Sequence, residues 1–297
     1  MNLDDKKSEL LDTIFTEYLE ELRKLEDETA AVTLAYTHGV HRLWRTALRM
    51  LAVSGDWSVL DVGCGLGVLS FELGGSLPLY VHGVDIEEGF VDHANVLLRR
   101  LDTLGFFAEG ATVRFDVGDI RALDFGSDSF DLVFVRELLQ FLPDPVQAVR
   151  ETLRVLRPGG YLCISDTDDQ LRITWPETSP ALDRLVKAVT AVQTGRGGDR
   201  HTGRKLTTYV RSAGFEIVSV VVLPEAHHRV VARRESERAI IIEQLHAARA
   251  RVVDAGAMDG DRFDADLCEL ENEAPFEEFR MDARIIVLAR KPNDDQQ

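Results

Sequence analysis

The chain is short of cysteine, of lysine and of long apolar runs, and each shortage closes off a class of protein. Three cysteines in 297 residues, Cys64, Cys163 and Cys268, are too few and too scattered for a disulfide framework and read as reduced packing residues. No run of 18 apolar residues occurs, and the amino terminus, Met1-Asn-Leu-Asp-Asp-Lys-Lys, has no apolar leader. Neither a membrane span nor an exported precursor is expected, which places the protein in the cytoplasm. Only 6 lysines accompany 28 arginines, and 51 acids outnumber both, leaving a formal net charge of −17. A surface of that sign repels polyphosphate, so nucleic acid is excluded as a partner and a small molecule is favoured. Residues 252–282 alone hold eleven acids against Arg262 and Arg280, read as a solvated acidic face. A phosphate-binding P-loop is also missing.

What the chain does have is a glycine turn behind a buried strand. Residues 59–67 read Val-Leu-Asp-Val-Gly-Cys-Gly-Leu-Gly, an apolar strand running into glycines at alternate positions. Glycine admits φ > 0 and lets a ligand approach backbone with no Cβ in the way, and the helix expected from Val68 offers its unpaired N–H groups beside it. The dinucleotide fingerprint G-x-G-x-x-G would put its third glycine at position 68, which is Val68; the third glycine is instead Gly67. An acid inside the strand, Asp61, would be costly without partners and is expected to bond amides of the turn near a cofactor.

The series Asp61, Gly63, Gly65, Gly67 resembles motif I of the class I S-adenosylmethionine (SAM) dependent methyltransferases, and further motifs follow in that family's order. Tyr80–Val84 ends in Asp85, 18 residues past Gly67, which the resemblance makes the ligand of both ribose hydroxyls. Residues 113–120 contain Asp119, which it makes the partner of the adenine amino group. Residues 129–135 and 153–165, the latter through Pro158-Gly-Gly160, resemble the fourth strand and the helix, turn and fifth strand. The resemblance covers about residues 55 to 166. It implies SAM as cofactor, held by Asp61, Gly63, Gly65, Gly67, Asp85, Ile86, Asp119, Ile120 and Arg136, with Tyr36 from the preceding segment.

The expected fold is α/β, a doubly wound, seven-stranded, mostly parallel Rossmann-like sheet with an amino-terminal helical cap and a helical insert before the last strand. Helical spacing at Leu10, Leu11, Ile14, Leu22 and again from His38 to Val53 assigns residues 1–54 to the cap. Residues 55–223 form the cofactor core, 224–281 an insert acting as lid or dimerisation element, and 282–297 the last strand and tail. Asp166 to Pro180 reads as irregular; Phe215–Leu223 and Ala283–Ala289 read as the sixth and seventh strands. The sixty or so residues between those two strands are too many for a structureless loop.

Methyl transfer from a sulfonium asks mainly for positioning, with a base only where the nucleophile must lose a proton. Catalytic candidates are His38 and His41, which share one helical face with Trp44 nearby, and Asp166 after the fifth strand. Arg136, Glu137, Asp168, Asp169, His201, Glu225, His227 and His228 lie where the fold puts substrate. Arg196, Arg200, Arg204, Lys205 and Arg211 could hold an anionic group or simply be surface charge. No metal site is expected. Asp/Asn-Pro-Pro-Tyr/Phe, carried by methylases of DNA bases and glutamine, is absent after the fourth strand, and so is the metal-binding Asp of catechol O-methyltransferases; that place reads Val135-Arg-Glu-Leu. The acceptor is expected to be a small, aromatic or alkaloid-like metabolite methylated at O, N or activated C, by analogy with bacterial enzymes that tailor secondary metabolites. A SAM-binding cyclase or decarboxylase and a non-catalytic SAM-binding subunit are the alternatives.

Overall fold

A computed structural model describes residues 5–27, 29–35, 37, 53, 55–176, 179–229, 231–272 and 278–293. Tyr36, His38, His41 and Trp44 lie outside them.

The first helix, α1 (Asp5–Lys24), buries Leu11, Ile14, Phe15, Tyr18 and Leu22, an i, i+3, i+4 series that leaves its charged face to solvent. Strand β1 (Ser58–Val62) then enters the centre of the sheet and passes through the glycine turn into α2 (Val68–Ser76). From there strand and helix alternate: β2 (Tyr80–Asp85), α3 (Glu88–Thr103), β3 (Thr112–Val117), β4 (Phe130–Arg136), α4 (Pro145–Val155) and β5 (Leu156–Thr167). Asp144 caps α4 by accepting from the Gln147 amide, with Pro145 in the first turn, a start signal legible in the sequence.

These five strands are parallel, in the order β3-β2-β1-β4-β5. The winding reverses between β1 and β4, so a crevice opens outside their carboxyl ends, the place where doubly wound sheets bind ligands. One face of the sheet packs Phe15, Phe71, Phe115 and Phe134 against α1, α2 and α3; the other packs Leu60, Val133, Val135 and Ile164 against α4 and the later helix α6.

The edge beyond β5 departs from the expected seven strands, since the described residues form eight. The stretch read as irregular after Asp166 holds a short strand, β6 (Ile173–Trp175). Helices α5 (Pro180–Gly195) and α6 (Leu206–Ala213) follow, then β7 (Glu216–Arg229), α7 (Val231–Asp254), α8 (Gly260–Asn272) and β8 (Glu278–Arg290). Strands β7 and β8 run well past the spans read for them because they pair antiparallel with one another along their whole length, from Glu216 opposite Arg290 to Arg229 opposite Glu278. A two-stranded ribbon thus rises from the sheet, and β6 pairs with the outer end of β8.

Helices α7 and α8 pack back onto α5 through Leu185, Ala188, Leu245, Val252, Phe263 and Leu267. The acidic run helps to hold them, which differs from a purely solvated face. Asp266 is buried and takes a two-point contact from Arg184 on α5 at 2.9 and 2.7 Å, Asp264 does the same with Arg249 on α7 at 2.6 Å, and Glu271 meets His246 at 2.9 Å. Arg23 at the end of α1 reaches Glu243 of α7 at 3.1 Å. Arg23, Glu26, Ala31, Val32, Glu243 and His246 line a cavity of about 620 Å³ between them. Cys64, Cys163 and Cys268 are free thiols, and among the described residues no helix is long and apolar enough to cross a membrane.

The ribbon base makes a measurable acid response. Burial alone would raise the Asp282 carboxyl, but Arg280 and Arg172, both bonded to it (2.6 and 2.7 Å), outweigh that and hold it at about 2. Its folded value lies below the unfolded one of about 3.9, so its stabilisation is complete above pH about 4 and is lost as pH falls through about 2. Asp282→Asn is expected to cost about 2 kcal/mol in urea unfolding at neutral pH. That gap should narrow steadily below pH about 4; a gap independent of pH would remove Asp282 from this role.

Candidate functional site

The turn after β1 is held open by hydrogen bonds to its back. Gly63 and Cys64 both donate their amides to the Val84 carbonyl of β2, at 2.8 and 3.0 Å, and Gly65 donates to Asp85 Oδ2 at 2.8 Å. The other oxygen of Asp85 accepts from the Glu87 amide at 3.0 Å. A carboxylate offers about four lone-pair sites, so each oxygen keeps room for a further donor such as a ribose hydroxyl.

The three glycines have different reasons to be glycine. All have positive φ: 73° at Gly63, 53° at Gly65 and 83° at Gly67. Among the described residues a Cβ on Gly65 would meet only the Thr33 methyl, at 3.7 Å, so its backbone faces a hollow. A Cβ on Gly63 would come within 3.1 Å of Leu138, in the loop after β4. A Cβ on Gly67 would come within 2.6 Å of the Phe115 ring, which also sits against Gly83 at 2.5 Å. Gly63 and Gly67 therefore make space for side chains, and Gly65 for a ligand. A glycine inside a strand was the available signal for Phe115, because such a residue marks close approach.

Asp61 is fully buried. It accepts from the Ser70 hydroxyl at 2.8 Å in the first turn of α2, and Arg136 lies 4.0 Å away. This corrects the expectation that it bonds amides of the glycine turn: its carboxylate points past the turn to the helix that follows. Burial raises its carboxyl while Arg136 and Ser70 oppose the rise. Ser70, a lone hydroxyl in an otherwise apolar turn, was not singled out by sequence reasoning; its isolation was the clue.

Ile86 is half exposed beside Asp85 and Ile120 is buried beside Asp119, a pair suited to the faces of a flat ring. Asp119 is engaged by Arg121, whose Nε lies 2.9 Å from both oxygens, and those bonds hold its carboxyl below the usual range. An adenine amino group there would share Asp119 with Arg121.

At the far side of the crevice, Asp166 departs from the acceptor-facing position expected of it. It has no exposed surface, and its oxygens accept from the main-chain amides of Gln140 (3.0 Å) and Thr167 (2.8 Å). Burial, and after it the charge of Glu137, push its carboxyl well up. Asp166 fixes the loop after β4. The other acids after β5 and the basic stretch before α6 engage one another: Asp169 with Arg200 at 2.7 Å, Asp168 with Arg204 at 2.7 Å and with His201 at 3.4 Å, Asp199 with Lys205. Three of the five cations considered as an anion site are thus tied to neighbouring acids. Glu225, His227 and His228 fall on β7, and their side chains are outside the described ones. No group of three or more potential metal ligands occurs among the described residues.

The hollow over Gly65 and the acid at the end of β2 suit a nucleoside. Residues 60–164 match the family model described as a methyltransferase domain. Over that span the chain resembles methyltransferases. It is 32% identical over 162 residues to the 27-O-demethylrifamycin SV methyltransferase of Amycolatopsis mediterranei, across 54% of this chain and 56% of that protein. The chain spans about half the length of the curated relatives it matches. Two solved structures share the fold of the methyltransferase domain: the [4+2]-cyclase SpnF (TM-score 0.54, 23% identity, 85% of this chain and 81% of that one) and Haemonchus contortus phosphoethanolamine N-methyltransferase 2 in complex with SAM (TM-score 0.50, 18% identity, 85% and 53%).

Within this domain the glycines should separate by substitution. Gly65→Val fills the ligand hollow and forces a β-branched residue to φ 53°, so SAM binding by titration calorimetry is expected to vanish. Asp85→Ala should weaken it roughly 10- to 100-fold, the loss of a charged hydrogen-bond acceptor. Gly67→Ala should instead lower the melting temperature, by about 1–3 kcal/mol of overpacking against Phe115. Wild-type binding in Gly65→Val would refute the assignment of the hollow.

Proposed function

We propose that the protein is a SAM-dependent methyltransferase of a small molecule. The observation that carries this reading is the open hollow over Gly65 with Asp85 bonded to its amide, at the point where the sheet reverses. Gly63 and Gly65 would present backbone to the cofactor, Asp85 would take the ribose, Ile86 and Ile120 would flank the adenine, and Asp119 would meet its amino group. Asp61 and Arg136 hold the turn from beneath, and Tyr36 is proposed as a further cofactor contact. When bound, the cofactor supplies a methyl group activated by a sulfonium.

The acceptor would enter between the cap and the insert, over the ends of β4 and β5. A small metabolite suits the net charge of −17, which repels nucleic acid. The rifamycin relative's name supports an acceptor of the secondary-metabolite kind. Aromatic or alkaloid-like acceptors, a homodimer and a cytoplasmic location belong to the same proposal, as do His38 and His41 as groups near the acceptor. Helices α7 and α8 are proposed as a lid, tied to the cap through Arg23 and Glu243. The cyclase resemblance is one of fold and does not favour a non-methylating reaction.

Parallel titration calorimetry with SAM, S-adenosylhomocysteine and NADH tests the cofactor directly. Heat with the first two and none with the third is expected. Binding of NADH alone would overturn the reading.

A further inference from the structure

We infer that Glu137 is the proton acceptor for the methyl acceptor, and that the group it serves is a hydroxyl; this rests on the methyltransferase reading above. Glu137 is the first residue past β4, on the wall of the crevice opposite the glycine turn, and its neighbour Leu138 packs toward Gly63. Its φ is 50°, the left-handed region that a non-glycine side chain rarely occupies. Its amide donates to the Ser165 carbonyl at 3.0 Å, so the strained backbone is fixed rather than free to relax. Strain of this kind persists where surrounding structure enforces it, and it gathers at functional sites.

The carboxylate held there is under-supplied with donors. Oε1 is buried, has no aligned hydrogen bond, and meets Arg284 of β8 only as a charge contact at 3.0 Å. Among the described residues Oε2 receives a single long approach, 3.5 Å from Gln140 Nε2. A buried carboxylate ordinarily collects several donors, as Asp166 beside it does from two main-chain amides. The two acids thus divide the work: Asp166 is satisfied and holds the loop, while Glu137 keeps vacant lone pairs at a side chain still 20% exposed. What completes it is a hydrogen-bond donor brought by the ligand.

A hydroxyl fits better than an amine. An aliphatic amine is an ammonium at neutral pH and would pair with Glu137 in that form, which has no lone pair to attack with. A hydroxyl stays neutral, donates to Glu137 and keeps its lone pairs for the methyl carbon. The oxygen–carbon bond forms as the sulfur–carbon bond breaks, the sulfur leaves neutral, and the hydroxyl proton passes to the Glu137 carboxylate. Arg284 meets Glu137 directly, Arg200 acts on the neighbouring Asp166, and Arg136 faces Asp61.

The test compares wild type with Glu137→Gln and Glu137→Asn, beginning with S-adenosylhomocysteine binding, whose absence in wild type would sink the cofactor reading and not this one. Both variants should bind it as wild type does. Glu137→Asn, a residue tolerant of the left-handed region, should melt within a few degrees of wild type; a collapse in melting temperature in both variants would make Glu137 a structural pillar and overturn the proposal. Turnover is then read as S-adenosylhomocysteine release with 4-methylphenol and with 4-methylaniline as paired probes. The phenol is expected to be methylated in preference, with Glu137→Gln slowed about 10²- to 10⁴-fold. That defect should shrink as pH approaches about 10, where a phenol ionises unaided. Preference for the aniline, or a Glu137→Gln enzyme as fast as wild type, would refute it.

Discussion

The hydrogen bond from the Gly65 amide to Asp85 is the contact on which the rest of the site depends. It joins the turn after β1 to the end of β2 across 20 residues of sequence, and it does so with the side chain that also faces the expected ribose. Backbone at positive φ has no intrinsic reason to stay there, and three such residues in five would wander if nothing behind them accepted their amides. Val84 and Asp85 supply those acceptors. Phe115 secures the arrangement from below, since its ring occupies space that exists only because positions 67 and 83 lack a Cβ. Turn, helix α2 and strands β1, β2 and β3 are therefore locked as one piece, which fixes the hollow before any ligand arrives.

Much of this was legible in the sequence, for a physical reason. Strands buried on both faces must be apolar, and backbone that turns at positive φ must be glycine, so β1 with its turn and β4 announce themselves in residue type. Asp85 was picked out by the resemblance of its whole motif series, since a strand-end acid taken singly is as readily a solvated one. The same logic failed where side chains choose among several partners. Asp166–Asp169 and Arg196–Arg211 looked like two separate candidate sites, yet Asp168, Asp169, Arg200 and Arg204 resolve into ion pairs with each other. Charge along a chain states what is available to pair, and only the fold states who meets whom.

The edge of the sheet shows a second limit. Strand extents of β7 and β8 could not be read from apolar content, because Glu225, Ala226, Asp282 and Arg280 do not look like strand residues. They are strand because each has a partner across the ribbon, Glu225 opposite Asp282 and Ala226 opposite Met281, and because Arg172 and Arg280 compensate the buried Asp282. Pairing supplied what propensity withheld. The consequence reaches the site, since β8 carries Arg284 to the end of β4 and so brings the base of the insert into contact with Glu137.

That contact changes how the insert and the chemistry are related. Helices α7 and α8 hang between β7 and β8, so movement of the proposed lid would reach the ribbon first and then Arg284. On the opposite side the same helices are tied to the cap by Arg23 and Glu243, two partly exposed groups whose attraction is weak and easily exchanged with water. Arg284 and Glu137 are largely buried, and breaking such a pair leaves uncompensated charge. The hinge side of the insert is therefore the firm one and the cap side the yielding one. The proposed lid would therefore open at the cap, where its contact is weaker, with the Arg284–Glu137 pair on its firm side.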